Sequence, residues 1–333
     1  MANMKAVQFD HYGDIDVLEV RYIPRPSPGT GEVLVAVKAA GINPGETVIR
    51  RGAPPVKLPS SQGAGLGGVS SSVNLVSVLP HTLPSGQGAD LAGVVVEVGP
   101  GVETFTVGEE VLGFCPRSKR VSQAEFVVVP ANNLTLKPSA VSWEVAGALF
   151  TAGTAAYAAV RAVGLAAGDT VAVSAAAGGV GTIAVQLAKR AGARVLGIAG
   201  SSNDDWLSAH GVIPVNYGDN LSDRLRAAAP QGRVDAFLDF FGGNYVKLAV
   251  TDLGVPPQRV NTIIDFAAAM TFGVKAVSHI DAANVGVLAE LATLIANGDL
   301  EIPIAAVYPL DEVRQAFRTL EQRHTRGKIV LRP

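Results

Sequence analysis

The chain has 333 residues and a formal net charge of −2 at pH 7, so it can form two domains with separate cores and has no basic surface for nucleic acid or acidic membranes. Its single cysteine, Cys115, excludes a disulfide framework and a cluster of cysteine zinc ligands. We recognise no secretory leader and no uninterrupted apolar run of membrane-spanning length, so we expect a cytoplasmic protein without membrane contact.

The first 130 residues are rich in short β-branched runs that are separated by turn clusters of glycine and proline. These predicted strands lie at 4–9, 17–22, 32–39, 91–98 and 124–129. Their spacing predicts a small antiparallel barrel or sandwich. A long helix is predicted next, with Ser142 as its N-cap, Glu144 in its first turn and Gly164 at its end.

A local repeat interrupts the β-rich part of the chain. Residues 58–69 recur as residues 83–94, and nine of the twelve positions match. The second copy contains Asp90 and continues into a predicted strand, so we interpret it as the structural copy. The first copy, together with the segment that follows it, is predicted to be a loop insertion at about 58–82, either a surface loop or a lid over a site.

From Asp169 onward, strands and helices alternate along the chain. Strands are predicted at 170–174, 194–199, 213–216, 234–239 and 259–264, and helices at 180–191, 203–210, 221–229 and 243–252. This alternation predicts a parallel, doubly wound α/β sheet. Two further helices, at 283–297 and 311–324, and a final strand at 327–331 complete the predicted elements.

A glycine-rich turn joins the first strand of this region to its helix. It comprises Ala176, Ala177, Gly178, Gly179, Val180 and Gly181. Strand, turn, helix and second strand follow within about thirty residues, which is the context of a dinucleotide fingerprint. Gly178 would let the backbone approach a pyrophosphate, and Gly181 would let the helix pack closely on the strand. The alternative interpretation is an ordinary tight turn between strand and helix.

Motifs along nearly the whole chain carry a family resemblance. They are AAGINP at 39–44, IRRG at 49–52, GADLAGVV at 88–95, VGPGV at 98–102, FTVGEEV at 105–111, AAGGVG at 176–181 and GKIVL at 327–331. On these motifs the chain resembles the medium-chain dehydrogenase/reductase superfamily. The resemblance is to its zinc-free branch of quinone oxidoreductases and enoyl reductases.

The resemblance implies a domain organisation and an activity. We expect a GroES-like, β-rich catalytic domain at 1–130, a Rossmann NADP-binding domain at 131–265 and a C-terminal return to the catalytic domain at 266–333. The active site would lie in the cleft between the domains. The implied reaction is hydride transfer from a nicotinamide to a small-molecule quinone or α,β-unsaturated carbonyl, in a homodimer.

The resemblance also bears on metal and cofactor. Zinc-dependent relatives have a cysteine where Asn43 stands, and one cysteine in the chain cannot supply their ligand sets, so we expect no metal site. The second strand of the fingerprint ends in small hydroxyl residues, Ser201 and Ser202, rather than in the acidic residue that contacts the ribose of NAD.

Two family positions support NADP, and one departure opposes it. Tyr217 and Arg323 match a tyrosine and an arginine that bind the phosphate in relatives, whereas the lysine of many relatives is missing near Asp204 and Asp205. We favour NADPH. Ser201 could instead be a helix N-cap, and the other two could be a packing aromatic and a solvated helix residue.

Two residues are candidates for catalysis by resemblance. Asn43 could donate its amide to the substrate or the nicotinamide, or it could cap the turn before Pro44. Thr154 matches a threonine near the nicotinamide, although a helical threonine often bonds a preceding carbonyl instead. Val48 occupies the position of a proposed proton-donating tyrosine, so no side-chain acid for protonating an enolate is evident.

The nicotinamide pocket is predicted at two further strand ends. Its candidate residues are Phe241 and Gly242 after one strand and Thr262 and Ile263 on the next. The preferred function is therefore an NADPH-dependent, zinc-free reductase of quinones or enones. The alternatives are an NADPH-binding or sensing protein without catalysis and an enoyl-thioester reductase, whereas a zinc alcohol dehydrogenase is opposed by the cysteine count.

Overall fold

The computed structural model describes residues 2–52, 83–116 and 121–333. The chain divides into two compact units, which are treated separately below. Among the described residues, the first unit comprises 2–52, 83–116, 121–151 and 283–333, and the second comprises 152–282. The predicted insertion at 58–82 lies outside the described residues.

The strands of these ranges are β1 Asn3–Phe9, β2 Glu19–Pro24, β3 Glu32–Gly41, β4 Ser85–Gly86, β5 Asp90–Val98, β6 Glu110–Phe114, β7 Phe126–Pro130, β8 Leu134–Leu136, β9 Thr170–Val173, β10 Arg194–Ala199, β11 Ile213–Asn216, β12 Ala236–Asp239, β13 Val260–Thr262, β14 Ile304–Pro309 and β15 Lys328–Arg332. The helices are α1 Pro44–Arg50, α2 Trp143–Gly147, α3 Leu149–Ala162, α4 Gly181–Arg190, α5 Asp204–Ala209, α6 Leu221–Ala228, α7 Tyr245–Lys247, α8 Phe266–Phe272, α9 Val285–Ala296 and α10 Val313–Glu321.

The first unit is built on two sheets. One has the order β2-β1-β4, and the other has the order β14-β15-β3-β5-β6-β8, with β7 paired to β3. The pairs are antiparallel except for β14 and β15, which are parallel. Val33, Val35 and Val37 of β3 are buried in one core cluster, because alternate residues of a strand point to the same face of the sheet.

The second unit contains one five-stranded sheet of order β11-β10-β9-β12-β13, and all its pairs are parallel. Every residue of β9 and β12 is buried, which is typical of central strands that are covered on both faces. Leu196, Phe237 and Val260 belong to its core cluster. The predicted α/β fold class is confirmed, as are the five predicted strands, whose bounds differ by two residues at most.

The predicted single helix between 142 and 163 is wrong, because α2 and α3 are separate helices divided at Ala148. Ser142 does cap α2, since its hydroxyl accepts a hydrogen bond from the Val145 amide at 3.3 Å. The break follows Gly147, where a Cβ would lie 2.5 Å from the carbonyl oxygen of Ala39 on β3. The chain therefore turns where its backbone packs directly on the strand.

The unit boundaries lie later in the chain than the predicted 130/131 and 265/266. β8 pairs with β6, which keeps residues 134–136 in the first unit. At the other boundary, Lys275 forms a parallel bridge to Asn261, whose side chain also bonds the Val277 backbone at 2.9 and 3.0 Å. These contacts keep residues up to 282 in the second unit.

Across the described ranges, no helix has the length and apolar character needed to cross a membrane.

Candidate active site

The glycine-rich turn follows β9 directly and begins in an unusual backbone conformation. Ala175 has a φ of 47°, in the left-handed region that side chains other than glycine rarely adopt. The Gly178 amide donates to the Ala175 carbonyl at 2.8 Å, and α4 begins three residues later. Val180 is the N-cap of α4 and provides no side-chain cap, and the Thr182 amide donates to the Gly178 carbonyl at 2.9 Å.

Two glycines of the turn, Gly178 and Gly181, differ in what an added Cβ would contact. A Cβ on Gly181 would lie 2.0 Å from the Ala175 carbonyl oxygen, which no backbone could accommodate without moving. A Cβ on Gly178 would lie 3.3 Å from the same oxygen, a tight contact that a shift of a few tenths of an ångström would relieve. The structure itself therefore requires Gly181, whereas Gly178 leaves room at a helix start that suits a pyrophosphate.

Ser201 and Tyr217 follow the ends of adjacent parallel strands. A Cβ on Gly200, at the end of β10, would lie 3.2 Å from the Tyr217 hydroxyl oxygen after β11. Ser201 is exposed in the short 3₁₀ turn that follows β10, and the N-cap of α5 is Asn203 rather than Ser201. Two residues with hydroxyl groups thus follow the ends of β10 and β11.

Asp204, which opposes an NADP site by its charge, is held by a neighbouring strand. Its carboxylate accepts a hydrogen bond from the Asn216 side chain at 2.9 Å. Arg224 donates to the Asn216 carbonyl at 2.9 Å and to the Asp219 carbonyl. This pair of contacts places a guanidinium beside the loop that contains Tyr217, so the region has a cation as well as an acidic residue.

Asp239, at the end of β12, is completely buried and accepts four hydrogen bonds through its carboxylate. Oδ1 accepts from the Ser174 hydroxyl at 2.7 Å and from the amides of Phe241 and Gly242 at 3.0 Å each. Oδ2 accepts from the Thr262 hydroxyl at 2.9 Å. One carboxylate therefore connects the ends of β9, β12 and β13, and it contacts two of the segments predicted to form the nicotinamide pocket.

The residues around Asp239 differ in exposure. Thr262 is buried, whereas the Phe241 ring is 43% exposed and meets the Tyr245 ring edge-on at 5.9 Å between centroids. Burial raises the pKa of Tyr245, and the negative charge of Asp239 raises it further. The phenol of Tyr245 is therefore neutral over the physiological range and does not supply a proton through a lowered pKa.

In the first unit, Asn43 is the centre of a buried polar cluster. Its Oδ1 accepts a hydrogen bond from the Lys328 ammonium at 2.5 Å, and that ammonium also donates to the Ile42 carbonyl at 3.1 Å. Its Nδ2 contacts Asp90 Oδ2 at 3.3 Å and Glu46 Oε1 at 3.5 Å. Lys328 thus fixes the amide so that oxygen faces the ammonium and nitrogen faces the carboxylates.

The carboxylates of this cluster have further partners. Asp90 Oδ1 accepts from the Thr151 amide at 3.0 Å and from the Thr151 hydroxyl, and Lys328 Nζ lies 3.7 Å from Asp90 Oδ2. Glu46 accepts from the Gln123 side chain at 2.9 Å and from the Asn43 amide at 3.3 Å. Asn43 also stands at the N-cap of α1, so its position agrees with both interpretations of this residue.

The remaining candidates lie in separate places. Thr154 is completely buried within α3, in the part of that helix that belongs to the second unit. Arg323 is exposed just beyond α10 with a φ of 57°, so it follows the helix rather than belonging to it. Val48 is 47% exposed on α1. Within the described ranges, no group of three or more histidine, cysteine, aspartate and glutamate side chains could hold a metal ion.

Sequence reasoning missed Asp239 and Lys328. Asp239 ends a predicted strand immediately before the Phe-Phe-Gly-Gly segment, and a carboxylate at a strand end in a parallel sheet is a recognisable signal. Lys328 is 285 residues from Asn43 in the chain, and the motif that contains it gives no indication of this contact.

Comparisons with known proteins agree with this architecture. The model of the alcohol dehydrogenase GroES-like domain matches residues 29–139, and that of the zinc-binding dehydrogenases matches residues 207–331. Quinone oxidoreductase 1 of Escherichia coli is 27% identical over 98% of this chain and 99% of its own. The solved quinone oxidoreductase of Coxiella burnetii is 28% identical with a TM-score of 0.84, and the match covers both chains completely.

A further relative is much longer than this chain. The mycocerosic acid synthase-like polyketide synthase of Mycolicibacterium smegmatis is 30% identical over 96% of this chain, which spans only 15% of that synthase.

A β-rich unit with a GroES-like match, together with a parallel sheet whose first strand ends in a glycine turn, defines a two-unit dehydrogenase architecture. The chain belongs to the medium-chain dehydrogenase/reductase superfamily, in its quinone oxidoreductase-like branch, and it is an oxidoreductase.

Proposed function

We propose that this protein is an NADPH-dependent, zinc-independent oxidoreductase that transfers a hydride to a quinone or an α,β-unsaturated carbonyl. The observation that carries the proposal is the turn at 176–181, where Gly178 leaves space at a helix start that has no side-chain cap. The bound cofactor supplies the hydride. Ala177, Gly179, Val180 and Gly181 would hold its pyrophosphate through backbone amides and the positive end of α4, and Gly178 would admit it because it has no side chain.

The preference for NADPH rests on the group that meets the ribose. Ser201 and the Tyr217 hydroxyl offer neutral hydrogen-bond donors, and a 2′-phosphate is not repelled by them as it would be by a carboxylate. Asp204 is engaged by Asn216, which reduces its effect on an anion. Arg323, by its family position, would add a positive charge to this phosphate.

The reacting end of the cofactor would meet Phe241, Gly242, Thr262 and Ile263. Thr154 is proposed to lie near the nicotinamide. Asn43 is proposed to donate from Nδ2 to the oxygen on which negative charge develops, since Lys328 already occupies Oδ1 and the two contacts from Nδ2 are long, at 3.3 and 3.5 Å.

The proposal requires neither zinc nor a side-chain acid. Asn43 stands where zinc-dependent relatives have a cysteine, and the Lys328 ammonium already contacts its oxygen and lies 3.7 Å from Asp90. A second cation would be repelled by this buried positive charge. Because Val48 replaces the tyrosine of some relatives, solvent would protonate the reduced acceptor, as it does for a hydroquinone dianion.

Absorbance at 340 nm tests the proposal directly. The purified protein is mixed with NADPH, then separately with NADH, and each is tried with quinones, enones and enoyl thioesters, with and without EDTA. We expect oxidation of NADPH in preference to NADH, at a rate that EDTA leaves unchanged. Absence of turnover with every acceptor, in protein that is folded, would overturn the enzymatic function.

Two alternatives give different results in the same assay. Turnover confined to enoyl thioesters would indicate an enoyl-thioester reductase, an alternative favoured by the match to a segment of the polyketide synthase. Tight NADPH binding without turnover would indicate a binding or sensing protein. The proposal also includes a cytoplasmic location, because a single cysteine suits a reducing compartment, and a homodimeric state. Cell fractionation would test the location, and light scattering would test the oligomeric state.

A further inference from the structure

We infer that Asp239 is the positioning residue of the nicotinamide side of the site, and that its carboxylate holds both pocket segments in place. The inference rests on the proposed function, because it assigns a role within an NADPH site. Asp239 makes no contact with cofactor in this assignment. It acts through the residues that do.

The contacts of Asp239 reach the four strand-end residues that are assigned to the nicotinamide pocket, Phe241, Gly242, Thr262 and Ile263. Its carboxylate binds the amides of Phe241 and Gly242 and the hydroxyl of Thr262, and its backbone carbonyl accepts from the Ile263 amide at 3.1 Å. One buried residue therefore contacts all four residues of these two segments.

Ser174 extends this arrangement to the strand that precedes the glycine turn. Its hydroxyl donates to Asp239 Oδ1 at 2.7 Å and accepts from the Phe240 amide at 2.8 Å. Ser174 is followed at once by Ala175, the residue with the left-handed backbone. The pyrophosphate turn and the nicotinamide pocket are thus connected through one hydroxyl and one carboxylate.

An uncharged amide could not replace this carboxylate. The Thr262 oxygen already accepts from the amides of Ile264 at 3.3 Å and Asp265 at 3.0 Å, so its hydrogen is directed to Asp239 Oδ2. In Asp239→Asn the nitrogen would present hydrogens to that hydroxyl, donor against donor, while Oδ1 could keep its three bonds. The substitution should release the Thr262 side and leave the Phe241 side attached.

Loss of this contact should affect hydride transfer more than cofactor affinity. The adenosine part of the cofactor is assigned to the ends of β10 and β11, where Ser201 and Tyr217 lie, and Asp239→Asn can keep the Oδ1 bond to Ser174 at the end of β9, so 2′,5′-ADP should bind unchanged. A nicotinamide with a loosened wall would spend less time in the reactive geometry, and displacement of about 1 Å is enough to lower a rate roughly a hundredfold. It would also present either face of its ring to the acceptor.

The experiment compares Asp239→Asn, Thr262→Val and Thr262→Ser with the wild-type enzyme. Three quantities are measured: kcat with NADPH, the Kd for 2′,5′-ADP, and deuterium transfer from NADPH labelled at each face of C4. For Asp239→Asn and Thr262→Val we expect kcat to fall about tenfold to a hundredfold, an unchanged Kd, and deuterium transfer from both faces. Thr262→Ser keeps the hydroxyl and should behave as the wild type.

Several results would overturn the inference. One is wild-type kcat and a single transferred face in Thr262→Val; another is an equal loss in Thr262→Ser and Thr262→Val. If Asp239→Asn does not fold, the threonine pair decides the question alone. Failure of the wild type to bind 2′,5′-ADP or to oxidise NADPH would instead contradict the proposed function, so the two failures are distinguishable.

Discussion

Gly178 and Gly181 occupy the same turn, yet an added methyl group would meet different surroundings at each. In Gly181→Ala the new carbon would lie 2.0 Å from the Ala175 carbonyl oxygen, so the start of α4 must move. We expect this variant to lose about 1–3 kcal/mol of unfolding free energy, in the range of other overpacked sites. Urea unfolding, followed by circular dichroism, measures the loss.

Gly178→Ala should have the opposite profile. Its Cβ would lie 3.3 Å from the Ala175 oxygen, which only has to move by a few tenths of an ångström, but the methyl group would occupy the space assigned to the pyrophosphate. We expect stability within about 1 kcal/mol of the wild type and a Kd for NADPH raised at least about tenfold. Fluorescence titration gives the Kd, and unchanged affinity would contradict the assignment of this turn.

Lys328 is a buried cation whose loss would leave Asp90 without its positive neighbour. The lysine side chain is 5% exposed, that of Asp90 is completely buried, and their charged atoms are 3.7 Å apart. Lys328→Met should therefore lower the unfolding free energy by about 3–5 kcal/mol, the usual result of breaking one half of a buried pair. Urea unfolding of the single variant provides the measurement.

The double variant Lys328→Met, Asp90→Asn identifies the cause of that loss. It removes the negative charge while Oδ1 can still accept from Thr151, so we expect it to be more stable than Lys328→Met alone. A double variant that is no more stable than the single one would show that the lysine acts through packing.

At the scale of elements, close approach to β3 explains why one predicted helix becomes two. Gly147 ends α2 with its Cα against the Ala39 backbone, and a Cβ there would lie 2.5 Å from the carbonyl oxygen. We expect Gly147→Ala to lose about 1–3 kcal/mol of unfolding free energy. Gly45→Ala in α1 is a matched control in the same unit, because nothing lies within 4 Å of its new carbon, and it should be neutral or stabilising.

An ion pair joins Asp169 and Arg259, the residues that directly precede β9 and β13, and it makes the stability of the fold depend on pH. Burial alone would raise the pKa of Asp169, but the Ala166 amide at 2.7 Å and the Arg259 guanidinium at 2.5 Å outweigh it, so the pKa lies below its ordinary value. A lowered carboxyl pKa stabilises the fold above the unfolded-state pKa of about 4 and loses that contribution as the pH falls further.

Asp169→Asn should therefore be less stable than the wild type at pH 7 by about 1 kcal/mol, and the difference should shrink as the pH falls below about 4. Denaturant unfolding across this range measures it. Asp219→Asn, which changes an exposed carboxyl of the same unit, controls for net charge. A difference that stays constant down to low pH would contradict the lowered pKa.

Local patterns predicted these elements to different degrees. The five strands of the parallel sheet are evident because each lies in a short run of apolar and β-branched residues between helices, and their glycine turn has a distinctive composition. β4, β6, β8 and β14 were not predicted, since they are two to six residues long and are defined by their partners. Strand pairing between distant segments leaves little trace in a short run of sequence.

At the scale of the whole molecule, the candidate site illustrates the same limit. Its contacts with the cofactor were predicted from motifs, because glycine turns and strand ends have fixed positions relative to a dinucleotide. Asp239 and Lys328 act through contacts 23 and 285 residues away in the chain, with Thr262 and Asn43 respectively. The supporting residues of a site are determined by sheet order and packing, and neither can be read from one segment.

Cofactor binding to the native protein should stabilise the whole chain by mass action. At about 100 times its Kd, NADPH should add about 2.7 kcal/mol to the unfolding free energy, because the unfolded chain has no site for it. At equal concentrations NADH should raise the melting temperature less, since Ser201 and the Tyr217 hydroxyl would have no 2′-phosphate to bind. Scanning calorimetry measures both shifts, and in Gly178→Ala the stabilisation by the same NADPH concentration should fall to about 1.4 kcal/mol or less, because its Kd is raised at least about tenfold. Equal shifts with the two cofactors would contradict the preference for NADPH, whereas an undiminished shift in Gly178→Ala would place the nucleotide elsewhere.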